Sequence, residues 1–200
     1  MREDRCENRR ADVIFEDDAL IVCIKPRGVL ACADASSKES MNDLLAPRTV
    51  FPVHRLDREV GGIMVFAKDS KTAAFLPDRL VKEYIAVFEG SLPDEGEMTD
   101  LLYHDRVKNK TYVVKRKRNG VKEARLAYRI VSHENGISTA QVRLFTGRTH
   151  QIRVQFASRG CPLVGDKKYG AKSGGTIGLT AFRLTLRHPN GKTMTFTLPE

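Results

Sequence analysis

The sequence predicts one strand-rich domain that also carries a few short helices. Three observations support that reading. Apolar, β-branched or aromatic runs recur along the chain, at residues 13–15, 20–24, 63–67, 82–89, 126–131 and 137–144. Turn signals separate them, including Glu16-Asp17-Asp18, Glu134-Asn135-Gly136 and His188-Pro189-Asn190-Gly191. Finally, 200 residues with 41% hydrophobic content suffice for one core, and no internal repeat, low-complexity tract or linker divides them.

In chain order, residues 1–12 are a polar N-terminal tail. Residues 13–15 and 20–24 form a hairpin, which Lys25-Pro26-Arg27-Gly28 ends because Pro26 lacks an amide donor. Residues 31–40 are a small, polar loop, and Ser40 caps a helix at 41–45. The loop starting at His54 passes through Gly61-Gly62 into a buried strand at 63–67. Asp69-Ser70 starts a helix that Pro77 interrupts. Residues 82–89 are a strand closed by Gly90, and 91–98 a loop. Residues 106–125 form a basic hairpin with Asn119-Gly120 as its turn and Lys115, Arg116, Lys117 and Arg118 at its tip. Strands follow at 126–131 and 137–144. Thr146 or Thr149 then caps a helix running through Gln151 to Ser158. Residues 171–175 are a small-residue, mobile loop, and residues 179–198 a final hairpin.

Composition narrows the function. The formal charge is +9, and it is placed unevenly. Residues 1–20 carry four basic and seven acidic side chains, whereas 141–200 carry ten basic and two acidic. A polyanion is the natural partner of such a chain. The four cysteines (Cys6, Cys23, Cys32 and Cys161) form no C-x-x-C pair and no clustered ligand set with histidine. Free thiols in a reducing compartment are expected, with no structural zinc. No apolar run approaches the roughly 20 residues of a membrane span, and the charged start has no signal-peptide core. The expectation is a soluble cytoplasmic protein, with no membrane partner and no cofactor.

The stretch His54-Arg55-Leu56-Asp57-Arg58 carries the sharpest chemistry. A carboxylate among cations is favoured in its charged form, and a positioned carboxylate serves as nucleophile or base. The plainer reading is a solvated ion-pair cluster on a turn. The basic run likewise reads as phosphate contacts or as an edge hairpin whose lysines block pairing. The 151–158 helix reads as a basic amphipathic surface helix, with Arg148 and Gln151 three apart on one face.

Several separated segments resemble the RluA class of pseudouridine synthases. They are His54-Arg55-Leu56-Asp57 with the following glycine and a strand ending in Ala67-Lys68; Lys82-Glu83-Tyr84-Ile85-Ala86-Val87 closing at Gly90; and Thr146-Gly147-Arg148-Thr149-His150-Gln151-Ile152-Arg153-Val154. Pro162-Leu163-Val164-Gly165-Asp166, Tyr169-Gly170, Lys25-Pro26 and His188-Pro189 fit as well. The resemblance implies an α+β fold, a mixed, mainly antiparallel sheet bent around a central RNA-binding cleft. Residues 13–200 would be the catalytic domain, with no separate N-terminal RNA-binding domain. It implies conversion of uridine to pseudouridine in ribosomal or transfer RNA, by a monomer that uses no nucleotide cofactor and no metal.

By the same resemblance Asp57 is the catalytic aspartate, Tyr84 the aromatic stacked on the target base, and Arg148 the cation paired with Asp57, with Arg153 the less favoured candidate for that pairing. The three would converge in the cleft. Arg55 would fill the gap left by the flipped base, which costs a few kcal/mol of stacking. His54, Arg58, Lys115, Arg116, Lys117, Arg118, His150, Gln151 and Arg153 would contact RNA. Without the resemblance Tyr84 reads as a core-facing strand aromatic, and His150 and Gln151 as structural residues.

The chain departs from the family pattern at two places. Val60-Gly61-Gly62 stands where Thr-Ser-Gly is usual, and Leu179-Thr180-Ala181 where Leu-His-Ala is. The first removes two hydroxyls that would hold the Asp57 loop. A catalytically decayed RNA-binding module of the same fold is therefore the alternative. A hydrolase of another glycosidic bond would need a second carboxylate, and Asp166 reads as part of a Gly-Asp turn.

Overall fold

The computed structural model describes residues 10–34 and 39–199. The chain forms two compact units: one runs to Leu80 and resumes at Leu186, and the other is Val81–Thr185. Positions 1–9 of the expected tail, and 35–38 of the loop at 31–40, lie outside the described residues.

In the first unit β1 (Asp12–Glu16) and β2 (Leu20–Lys25) form the expected antiparallel hairpin. Asp17 fixes the turn, its Oδ1 accepting the Ala19 and Leu20 amides at 2.9 and 3.0 Å. Helix α1 (Met41–Leu45) has Ser40 as its N-cap in a full capping box: the Ser40 hydroxyl accepts from the Asp43 amide, and the Asp43 carboxylate accepts from Ser40 N at 2.8 Å. A short β3 (Phe51–Pro52) and β2 flank β4 (Gly61–Ala67). Every residue of β4 is buried, which explains its unbroken apolar run. Asp69 caps α2 (Ser70–Phe75) through the Thr72 amide, and a 3₁₀ turn at Pro77–Arg79 follows.

The second unit is a sheet under one helix. β5 (Leu80–Glu89), β6 (Glu95–Asp105), β7 (Lys110–Val114), β8 (Val121–Glu134), β9 (Ile137–Leu144) and β10 (Leu179–Arg187) lie in the order β10-β5-β9-β8-β6-β7. The β5–β9, β8–β9, β6–β8 and β6–β7 pairings are antiparallel. After β10, the turn at His188–Gly191 leads into β11 (Thr193–Thr197) of the first unit.

Two expectations change here. Residues 95–98 belong to β6 rather than to a loop. Residues 106–125 are not one hairpin either. Asn119-Gly120 does turn, with Gly120 at φ 80°, but β7 and β8 lie on opposite sides of β6. The 115–120 loop therefore crosses the end of β6, and the β6–β7 turn is at 106–109.

Helix α3 (Gln151–Ala157) packs on this sheet, with Phe156 meeting Phe88 and Tyr128 edge-on at centroid distances of 5.1 and 5.9 Å. It is no surface helix: residues 151 to 156 are all buried. Its apolar residues Ile152, Val154 and Phe156 alternate and so spread around the axis, which is the pattern of a helix enclosed on all sides. Its polar side chains are each partnered. Gln151 Nε2 donates to Arg125 O at 3.0 Å, Arg153 meets Asp166, and Gln155 Nε2 donates to Asp100 Oδ2 at 2.7 Å.

Candidate functional site

The first unit presents Asp57 on a tight turn. The Val60 amide donates to Asp57 O at 3.0 Å, and the buried side chains of Leu56 and Val60 anchor both ends. Asp57 itself is half-buried, while Arg55 and Arg58 are exposed. Two of its sequence neighbours serve other groups. Arg58 Nε pairs with Glu59 at 2.8 Å, and His54 Nε2 accepts the Val65 amide at 3.3 Å, which ties the ring to β4.

Lys25 holds this turn from beneath. Its side chain is fully buried, and Nζ donates to Pro26 O at 2.8 Å, Val29 O at 2.7 Å and Arg58 O at 3.0 Å. The Gly28 amide also donates to Arg58 O, and Arg27 Nη1 donates to Glu59 O. Burial pushes the Lys25 pKa down to about 8, and the charges of Glu59 and Asp57 resist that fall. The Val60-Gly61-Gly62 departure fits the packing. A Cβ at Gly61 would lie 3.2 Å from both Arg27 Cγ and Lys25 O, so the turn is packed without a side chain there.

In the second unit Tyr84 lies on β5, 5% exposed, on the face it shares with Ala86 and Phe88. Lys82 precedes it by two residues. Burial lowers the Lys82 pKa, and Nζ sits 3.3 Å from where a Cβ of Gly147 would be.

The segment before α3 is held by the helix's own first residue. Gln151 Oε1 accepts from Arg148 N at 3.0 Å and from Thr146 Oγ1 at 2.8 Å. Neither Thr146 nor Thr149 caps the helix. The N-cap is His150, in the left-handed conformation at φ 54°. Arg148 lies ahead of the helix, exposed, with Nε donating to Glu123 O at 2.9 Å.

Arg153 is the opposite case. It is 5% exposed and meets Asp166, itself 1% exposed, through a two-pronged contact: Nε to Oδ2 at 2.6 Å and Nη2 to Oδ1 at 2.9 Å. Asp166 does sit in the Gly-Asp turn, and it also serves as this anchor. Tyr169 completes the group, with the Arg153 guanidinium 5.2 Å from its ring centre. The Tyr169 hydroxyl accepts the Thr111 amide at 2.8 Å and lies 2.9 Å from His150 Nδ1. Burial raises the Tyr169 pKa.

The structure thus places His54, Arg55, Asp57 and Arg58 on one loop of the first unit. In the second it ties Arg148 to Gln151, groups His150 and Arg153 around Tyr169, and sets Lys115, Arg116, Lys117 and Arg118 on the exposed 115–120 loop. Lys25, Lys82 and Tyr169 belong to the motif segments, but the sequence alone assigns them no place in the site. For Lys25 the available signal was a lone lysine closing an apolar run just before proline. The loop at 171–175 is pinned rather than free: Glu89 accepts from Ser173 N and Oγ and from Lys172 N, which pulls the Glu89 pKa down to about 2. Cys23, Cys32 and Cys161 are free thiols, and burial pushes Cys23 up to about 12.

A fold of this kind, α+β and dominated by one sheet, is that of pseudouridine synthase domains. The solved structure of human RNA Pseudouridylate Synthase Domain Containing 1 superposes with a TM-score of 0.79 at 19% identity, covering 99% of this chain and 86% of that one. Human RNA Pseudouridylate Synthase Domain Containing 4 gives 0.75 at 22% identity, covering 94% and 88%. The chain belongs to the RNA pseudouridylate synthase family, whose model matches residues 19–158. Among curated relatives, ribosomal large subunit pseudouridine synthase D of Neisseria meningitidis serogroup A is 34% identical, across 94% of this chain and 58% of the relative. The Yersinia pestis protein of that name is 33% identical, across 80% and 53%. The chain spans a little over half the length of these relatives.

Proposed function

We propose that this chain isomerises uridine to pseudouridine within RNA, with large-subunit ribosomal RNA as the first substrate to test. The observation that carries the reading is the family match over residues 19–158, which includes Asp57, Tyr84, Arg148 and Arg153. In this reaction the bond from the ribose carbon to N1 breaks and a bond to C5 forms. N1 gains a proton and C5 loses one. Asp57 acts on the sugar or the base, or promotes elimination, and Tyr84 stacks on the base. Supporting Asp57's role is its place on a turn whose backbone is pinned by buried Leu56, Val60 and Lys25.

The two arginines divide the remaining work. Arg148 was expected to partner the aspartate and Arg153 to touch RNA. Exposure of Arg148 supports an RNA contact, whereas the buried, two-pronged setting of Arg153 supports the role of a fixed cation in the reaction. The exposed Arg55, Arg58 and 115–120 loop suit contacts to the phosphate backbone.

The test is tritium release from RNA labelled at uridine C5, using native protein and Asp57→Asn on ribosomal and transfer RNA pools. Release by the native protein that is lost in Asp57→Asn is the expected result. No release by a folded protein that still binds RNA would support the decayed module instead. Arg148→Lys and Arg153→Lys in the same assay assign the cation: the one that lowers turnover at saturating RNA is the reaction's arginine.

A further inference from the structure

The second unit carries a strong concentration of positive charge. Residues 106–122 carry eight basic side chains and no acidic one. They form the β6–β7 turn, β7 itself and the loop that crosses the end of β6. β7 is the last strand of the sheet order, so among the described residues one of its edges has no neighbouring strand.

Two aromatic residues sit within this charge. Tyr103 of β6 and Tyr112 of β7 are directly opposite one another in the register. Strand alternation puts them on the face away from α3, because their neighbours Leu102 and Thr111 are buried on the helix side. There Leu102 packs with Val154, and the Thr111 hydroxyl donates to Thr149 O. Tyr112 is 36% exposed, far more than a core tyrosine. Cations lie over both rings: Arg118 is 4.9 Å from the Tyr103 centroid and Lys110 5.8 Å from that of Tyr112. The crossing loop also packs on Tyr103 at Gly120.

Flat aromatic faces set among exposed guanidinium and ammonium groups suit a strand whose bases are unpaired. Bases stack on the rings while the cations follow the phosphates. A duplex hides its base faces and would use the charge alone. We propose that Tyr103 and Tyr112 form a stacking platform for unpaired bases of the RNA, with Lys115, Arg116 and Lys117 holding the adjoining phosphates. This inference rests on the RNA reading above and adds the kind of RNA structure bound and the residues that bind it.

Stacking and phosphate contact differ in their response to salt. Losing a stacked base weakens binding about equally at every salt concentration, because no counterion is involved. Losing a phosphate contact lowers the slope of log affinity against log salt by roughly 0.7 for a single strand. The experiment measures fluorescence anisotropy of a short labelled oligouridylate, titrated with the native chain, Tyr112→Leu, Tyr112→Phe, Tyr103→Leu and Lys117→Gln over a range of potassium chloride. Tyr112→Leu should weaken binding by roughly 5- to 100-fold with the slope unchanged. Tyr112→Phe should restore it, and Lys117→Gln should reduce the slope.

The platform is overturned if Tyr112→Leu and Tyr103→Leu, both folded by circular dichroism, bind as native. It is also overturned if the native chain ignores oligouridylate, or if a duplex competes equally and the tyrosine variants have no effect. Tritium release separates this from the reaction itself. Release with tyrosine-independent binding rejects the platform and keeps the isomerase, while tyrosine-dependent binding without release does the reverse.

Discussion

Replacing Lys25 by methionine keeps the length of the side chain and removes its ammonium. The native Nζ donates to three carbonyls from a fully buried position. Hydrogen bonds from a charged donor contribute roughly 1.5–3 kcal/mol each, about 5–9 kcal/mol together. Burying the charge works against this. The fall in pKa from 10.5 to about 8 corresponds to about 3 kcal/mol of penalty. Lys25→Met should therefore destabilise the fold by roughly 2–6 kcal/mol at neutral pH. It should also slow the reaction, because Arg58 O loses a donor beside Asp57.

The pH profile provides a second signature. Below pH 8 both folded and unfolded chains hold the Lys25 proton, and the fold bears the whole penalty. Between about 8 and 10.5 the unfolded chain binds a proton that the folded chain does not, so native stability gains up to about 3 kcal/mol from this residue as pH rises. The variant has no such gain. Urea unfolding followed by circular dichroism at pH 7.5, 9 and 10.5 tests both points, since the native-minus-variant difference cancels the other titrating groups. A variant within 1 kcal/mol of native at pH 7.5, with a parallel profile, would refute the idea that Lys25 holds the turn.

Three further outcomes follow from the second unit. Asp166→Asn removes the charge of the carboxylate that the buried Arg153 guanidinium grips and should cost about 3–5 kcal/mol in urea unfolding, against less than about 0.5 for the exposed Arg148→Gln. Gly165→Ala should cost about 3 kcal/mol by the same measurement, because φ is 73° and the new Cβ would strike the carbonyls of Thr176 and Gly175. Glu89→Gln should speed amide exchange at Lys172 and Ser173. In the native chain their protection should hold above pH 4.5 and fade as pH falls towards 2, the range over which the folded carboxylate takes up its proton.

Local signals in the sequence were reliable where one short segment settles the outcome. Ser40 and Asp69 cap helices because their acceptors need only an amide three residues on. Asn135-Gly136 makes a hairpin because both residues take positive φ and no other strand separates β8 from β9. Asn119-Gly120 carries the same signal and turns the chain, yet β6 lies between the strands it connects. Strand order is a long-range property that a dipeptide does not encode. β6 itself is hard to read from the sequence because Glu95, Gly96, Glu97 and Asp100 dilute its apolar positions.

The site was legible in the same uneven way. The order of the motif segments along the chain points to the family, despite the departures at Val60-Gly61-Gly62 and Leu179-Thr180-Ala181. The division between Arg148 and Arg153 was not legible, since spacing shows only that both lie near one helix. Burial distinguishes them, and the burial of Arg153 depends on Asp166, 13 residues further on. Lys25 was hidden for a similar reason: one of its three acceptors, Arg58 O, is 33 residues away.

The way α3 is bonded has a consequence for the order of folding. Seven residues make too short a helix to persist alone in water. Its internal polar side chains also find their partners far back in the chain, Gln151 at Arg125 and Gln155 at Asp100. Until β6, β8 and β9 have paired, burying those amides would leave them without acceptors. The helix should therefore dock late, on a sheet already assembled. Substitutions at Gln155 should then chiefly speed unfolding, while changes in the β8–β9 hairpin slow folding. On that expectation the segment carrying Arg148 and Arg153 would be the last part of its unit to take shape and the first to be released.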